Sequence, residues 1–111
     1  MILAAYDRIL YILTSARERK QMYFLPMVPS SAIHWIHGLR TGFSFAGLEW
    51  SPEHRRPAVE RRALCFRAAT NEVSELQERG LSDEAIIDEL LAIEIEMWQS
   101  QRTAAVKLGI T

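Results

Sequence analysis

The stretch that decides the architecture is Leu81-Ser82-Asp83-Glu84-Ala85-Ile86-Ile87-Asp88-Glu89-Leu90-Leu91-Ala92-Ile93-Glu94-Ile95-Glu96-Met97-Trp98. Ser82 carries the side-chain oxygen that a first-turn N–H requires, and the acids behind it suit the positive end of a helix dipole. Leu81 is placed to staple onto Ile86 across that turn. Ile86, Leu90, Ile93 and Met97 then recur at helical spacing, with Ile87, Leu91 and Trp98 beside them. The pattern predicts a helix from residue 83 past residue 98. Gly80, just before it, is a stop signal for a preceding helix. A connection this short predicts an antiparallel helical hairpin.

Working back along the chain, Val59, Ala63, Phe66, Ala69, Val73 and Leu76 form the stripe of the hairpin's first helix, predicted over residues 57–79. Ser51-Pro52-Glu53 has the form of an N-cap, an N1 proline and an early acid, but Pro57 limits that start to one turn. Ser30 or Ser31 caps an earlier helix with Ala32, Ile36, Leu39 and Phe43 on one face. The first helix, over residues 2–19, aligns Ile2, Leu3, Tyr6, Ile9, Leu10 and Leu13. Between these two, residues 22–29 are too apolar for a free loop, while Pro26 and Pro29 exclude a central strand. The expected fold is therefore a single all-α domain over residues 1–111. It has four helices, a C-terminal antiparallel hairpin, and room for one short extended segment at 22–28.

Composition narrows the functional classes. The 111 residues are 49 % apolar and 24 % charged, as in ordinary globular chains. Thirteen basic against 14 acidic side chains leave a formal charge of −1, so no global field draws in nucleic acid or an anionic membrane. The lone cysteine, Cys65, excludes an intrachain disulfide and multi-cysteine metal frameworks, and its place beside an apolar stripe reads as an inert small hydrophobe. Asp7 and Arg8 interrupt the apolar N-terminus, which fits neither a signal peptide nor a membrane span and predicts a cytoplasmic protein. No phosphate loop, nucleophile elbow or H-E-x-x-H motif is present, so the expectation is a non-enzyme that uses no cofactor.

Near-neutrality is an average. Residues 1–80 hold 11 basic and 8 acidic side chains, whereas residues 81–111 hold 2 and 6. Asp83, Glu84, Asp88, Glu89, Glu94 and Glu96 lie in a stretch with no basic residue. Two readings follow: this helix folds onto the more basic half of its own chain, or it recognises a basic partner protein. Asp88, Glu89 and Glu96 are the partner-binding candidates on the second reading.

Glu94 lies in the middle of the apolar face, where an unpaired charge costs several kcal/mol. Arg62, inside the stripe of the preceding helix, is the expected partner in a buried pair. A less favoured alternative is a divalent metal held by His34, His37 and Glu94, since histidines at i, i+3 project from one helix face. The arginines at 55, 56, 61, 62 and 67 define a third candidate, a nucleic-acid surface, but on a helical wheel they do not form a stripe. Ile12, Leu64 and Ile95 fall outside their helices' stripes and predict a homodimer that covers them.

Three local resemblances bear on function. Gly80-Leu81-Ser82-Asp83-Glu84-Ala85-Ile86 is similar to the opening of helix-turn-helix modules, and Arg102-Thr103-Ala104-Ala105-Val106-Lys107-Leu108-Gly109-Ile110-Thr111 to the first helix and turn of Fis-type DNA-binding domains. Neither is followed by a helix able to enter the major groove, so neither implies DNA readout. Arg19-Lys20-Gln21-Met22-Tyr23 followed by Ile33-His34-Trp35-Ile36-His37-Gly38-Leu39 resembles a pattern in small uncharacterised bacterial proteins, R-P-x-M-Y before a helix ending F-I-x-G-Y, with Lys20 where the pattern has proline. Some of those look like accessory or immunity proteins, which implies an interaction role and no catalytic residue. The expected function is a protein-interaction module, accessory or immunity-like. The alternatives are a small nucleic-acid-binding regulator and a metal-binding helical protein.

Overall fold

The computed structural model describes residues 2–64 and 69–111, with the side chains of residues 69–71 outside that description. Among the described residues six helices follow one another: α1 (Ile2–Glu18), α2 (Lys20–Tyr23), α3 (Pro29–Phe45), α4 (Pro52–Arg61), α5 (Ala69–Glu78) and α6 (Asp83–Lys107). The all-α class is as expected, and no strand occurs among the described residues.

The long acidic helix proves to be the hub. At 1.5 Å per residue its 25 residues span about 37 Å, most of the 43 Å long axis of the molecule. Ile86, Ile87, Leu90, Leu91, Ala92, Ile93, Met97, Trp98 and Ala105 are all buried, so α6 is apolar around most of its middle and must be enclosed. Helices α1, α3 and α4 enclose it. Helix α1 offers Tyr6, Ile9, Leu13 and Ala16 along one stripe, with the Tyr6 and Trp98 rings 6.1 Å apart. Each large side chain buried at this seam contributes about 1.5–3 kcal/mol. The start of α6 is capped as expected, with the Ala85 N–H donating to Ser82 Oγ at 3.2 Å.

The region ahead of the hairpin departs from expectation. A single helix over 57–79 is replaced by α4 and α5, with α4 starting at Pro52 and running through Pro57. Pro57 forfeits one ladder hydrogen bond. Burial of Arg55, Ala58 and Val59 on the core side holds the helix through it. The chain then stops where no glycine marks a stop. Leu64 N–H donates to Val59 O at 3.2 Å and Ala63 N–H to Glu60 O at 2.9 Å, a Schellman pair with Ala63 at φ 54°. Arg79 at the end of α5 caps the two exposed carbonyls, Nη1 to Arg62 O (2.7 Å) and Nη2 to Ala63 O (2.8 Å). The readings of Cys65, Phe66 and Arg67 lie outside the described residues, as does the side chain of Ala69.

The segment at 22–28 is also differently built. Its first residues belong to the single turn α2, and extended backbone appears at Phe24 and Val28, on either side of a cis Leu25–Pro26 bond. Phe24 plugs the core at 1 % exposure and packs perpendicular to the Trp35 ring, with centroids 5.5 Å apart. Leu64 is buried and Ile95 packs against the core within one chain. Neither therefore calls for a second copy.

Candidate functional site

The carboxylates expected to face a partner face this chain's own cations instead. Asp88 accepts from Arg17 Nε (3.1 Å) and Nη2 (3.0 Å), and Lys20 Nζ lies 2.9 Å from it. Glu89 accepts from Arg62 Nε at 2.7 Å, and Glu96 bonds to both Arg61 and Arg62. These contacts leave a trace in the titration of the acids. Hydrogen bonding from Arg17 is the largest influence on Asp88 and holds its carboxyl below the usual range. For Glu96 the largest influence is burial, which pushes upward, yet the hydrogen bonds from Arg62 and Arg61 outweigh it and leave the carboxyl lowered. The charge asymmetry of the chain is thus spent on docking α6 against α1 and α4.

The same contacts consume the arginines of the nucleic-acid candidate. Arg61 and Arg62 are bound as above, and Arg55 is buried against Glu72, with bonds of 2.6 and 2.5 Å. Glu72 is fully buried, and nothing in the sequence pairs it with Arg55, since the two sit on separate helices. Arg56 is exposed, and Arg67 lies outside the described residues. The metal candidate does not assemble. His34 and His37 are exposed on α3, Glu94 is buried, and no three potential ligands come together among the described residues.

Glu94 is buried and paired as its position demands, but not to Arg62. Its partner is Arg40 of α3, which donates from Nε to Oε2 at 2.7 Å and from Nη2 to Oε1 at 2.6 Å. The Trp98 indole N–H adds a third donor at 3.3 Å. Arg62 instead bonds to Glu89 and Glu96, two turns apart on α6. A sequence signal for Arg40 existed: it stands four residues after Ile36 and three before Phe43, on the apolar face of α3. Two charges that interrupt two facing apolar stripes find each other.

Arg40 carries this buried pair to the surface. Its guanidinium lies over the Trp50 ring, 4.0 Å from the centroid, and both residues line an open cleft of about 330 Å³ at the C-terminal end of α3. His37, Thr41, Ser44 and Phe45 from α3 and Glu49 from the following loop complete its walls. That loop is held from several sides. Gly47 takes φ 87°, a left-handed value costly for other residues, and Leu48 N–H donates back to Phe43 O at 2.9 Å. Leu48 is then buried at 2 % exposure. The Gln101 side chain of α6 clamps both sides of Trp50, donating to Glu49 O (2.8 Å) and accepting from Ser51 N–H (3.0 Å). Ser44 Oγ donates to the Glu49 carboxylate. Phe45 and Trp50 nevertheless remain 88 % and 36 % exposed. Rigid backing with exposed aromatic rings can receive an amphipathic group without reorganising.

No helix among the described residues is long and apolar enough to cross a membrane. No protein-family model matches the chain, and comparisons with curated proteins and with solved structures yield no match.

Proposed function

We propose that this chain is a non-enzymatic protein-interaction module, and that its contact surface is the cleft at the end of α3 and not the acidic side of α6. The observation that carries the reading is two exposed aromatic rings lining one cleft, Phe45 at the end of α3 and Trp50 on a loop held by Gln101, Leu48 and Arg40. Interfaces concentrate their energy in rigid aromatic anchors of this kind. Asp88, Glu89 and Glu96 would have to give up internal partners before meeting external ones, which removes most of their value to a partner. The resemblance of residues 19–23 and 33–39 to a pattern in small bacterial proteins, some of which look like accessory or immunity proteins, points to the same class.

A photo-crosslinking amino acid at position 45, introduced in the native cell, tests the proposal. The control position is Thr14, exposed on α1. A discrete crosslinked protein should appear from position 45 alone, and Trp50→Ala should diminish it. Identical crosslinking from both positions would refute the assignment of the cleft.

A further inference from the structure

We infer that the α3 cleft is a receptor for a basic side chain, arginine or lysine, presented by a segment of a partner protein. The inference deepens the reading of this cleft as a contact surface and rests on it. Its ground is charge. The Arg40 guanidinium is matched by the bidentate Glu94 carboxylate, so the cation in the cleft wall is already neutralised. Glu49 is exposed, and its carboxylate is bonded to the neutral hydroxyl of Ser44. Among the described residues no cation forms an ion pair with it, in contrast to Asp88, Glu89, Glu94 and Glu96. Glu49 is therefore the carboxylate in the cleft wall that has no cation of its own among the described residues.

The other walls fit the rest of such a side chain. Lysine and arginine carry an apolar stem behind a charged head, and stems pack along apolar surface while the head seeks an acceptor. Phe45 and Trp50 offer that surface beside the Glu49 carboxylate. The exposed face of an aromatic ring such as Phe45 additionally attracts a cation. An acidic segment would instead meet Glu49 with like charge, and a purely apolar one would desolvate it without replacement. A free amine would satisfy Glu49 but leave the 88 % exposed ring of Phe45 largely uncovered, which favours a side chain carried on a peptide.

The test is an NMR titration of the ¹⁵N-labelled full chain, read at the Trp50 indole and at the Phe45 and Glu49 amides. The probes are a short capped peptide with one central arginine beside a leucine, its norleucine and glutamate counterparts, and argininamide. The arginine peptide should give saturable shifts confined to the cleft. It should bind about tenfold more tightly than the other three, the ratio set by one charge-assisted hydrogen-bonded contact. Glu49→Gln should remove that preference, and Glu49→Lys should reverse it towards the glutamate peptide. Glu49 is exposed and its carboxylate bonds to the Ser44 hydroxyl at the surface, so both variants should fold. Equal binding of all peptides, abolished by Phe45→Ala, would overturn the basic-side-chain inference while leaving an apolar contact surface in place. Tighter binding of argininamide would transfer the site to small amines. Movement of the same resonances on dilution without any probe would identify a second copy as the occupant. No saturable shift with any probe would overturn both readings.

Discussion

Replacing Arg40 with methionine isolates the contribution of the buried pair beneath the cleft. Methionine keeps the stem's apolar contacts and removes the guanidinium, so Glu94 loses both short hydrogen bonds and keeps only the 3.3 Å contact from Trp98. The carboxylate is 2 % exposed and water cannot replace what is lost. Removing one partner of a buried pair costs about 3–5 kcal/mol. Loss of the guanidinium stack on Trp50 adds about 0.5–1 kcal/mol. A domain of this size is stable by roughly 5–15 kcal/mol, so the variant should remain folded in water with a much lower urea midpoint. The double variant Arg40→Met/Glu94→Met should regain most of the loss, because two apolar side chains in contact need no desolvation penalty. Urea unfolding followed by far-UV circular dichroism on the four proteins of this cycle gives the coupling directly. A single-variant loss below about 1 kcal/mol, in the range of exposed ion pairs, would refute the assignment of Arg40 as the partner that Glu94 requires. Strictly additive losses would refute it equally.

Two further outcomes follow from the geometry. Ala63 occupies the left-handed region at φ 54°, so Ala63→Gly should stabilise the chain by about 0.5–1 kcal/mol, the strain of roughly 1–2 kcal/mol partly offset by glycine's backbone entropy; a lower thermal midpoint would exclude that backbone geometry. Asp88 and Glu96 both titrate below their ordinary values near 3.8 and 4.5, so their stabilisation is complete above those values and is lost as pH falls through the lower folded-state values. Asp88→Asn and Glu96→Gln should therefore flatten the acid limb of stability against pH and leave its neutral-to-alkaline course unchanged, measured by thermal melts across that range.

Legibility from sequence followed the range of the interactions. Helix α6, its Ser82 cap, the Gly80 stop and the α1 stripe depend on neighbours within a turn, and all were readable. The break at Ala63 was not, because the stop is stabilised by Leu64 burial and by Arg79 reaching back from α5. Nor was the continuation of α4 through Pro57, which core burial of its neighbours enforces against a local cost. The candidate site divides along the same line. An interrupted apolar stripe marks both Glu94 and Arg40, whereas Arg55–Glu72 and the Gln101 clamp join residues with no shared periodicity.

Residue order alone is enough to make the chain helical, to make residues 83 onward its longest amphipathic unit, and to require a buried partner for Glu94. Those conclusions need only local periodicity and the cost of an unpaired charge. Tertiary structure alone decided which cations meet which acids, because pairing depends on how α1, α3 and α4 are rotated about α6. That choice matched Asp88, Glu89 and Glu96 to Arg17, Lys20, Arg61 and Arg62. It sent Arg40 to Glu94, and it left Glu49 beside Phe45 and Trp50 as the acid in the cleft with no cation of its own among the described residues.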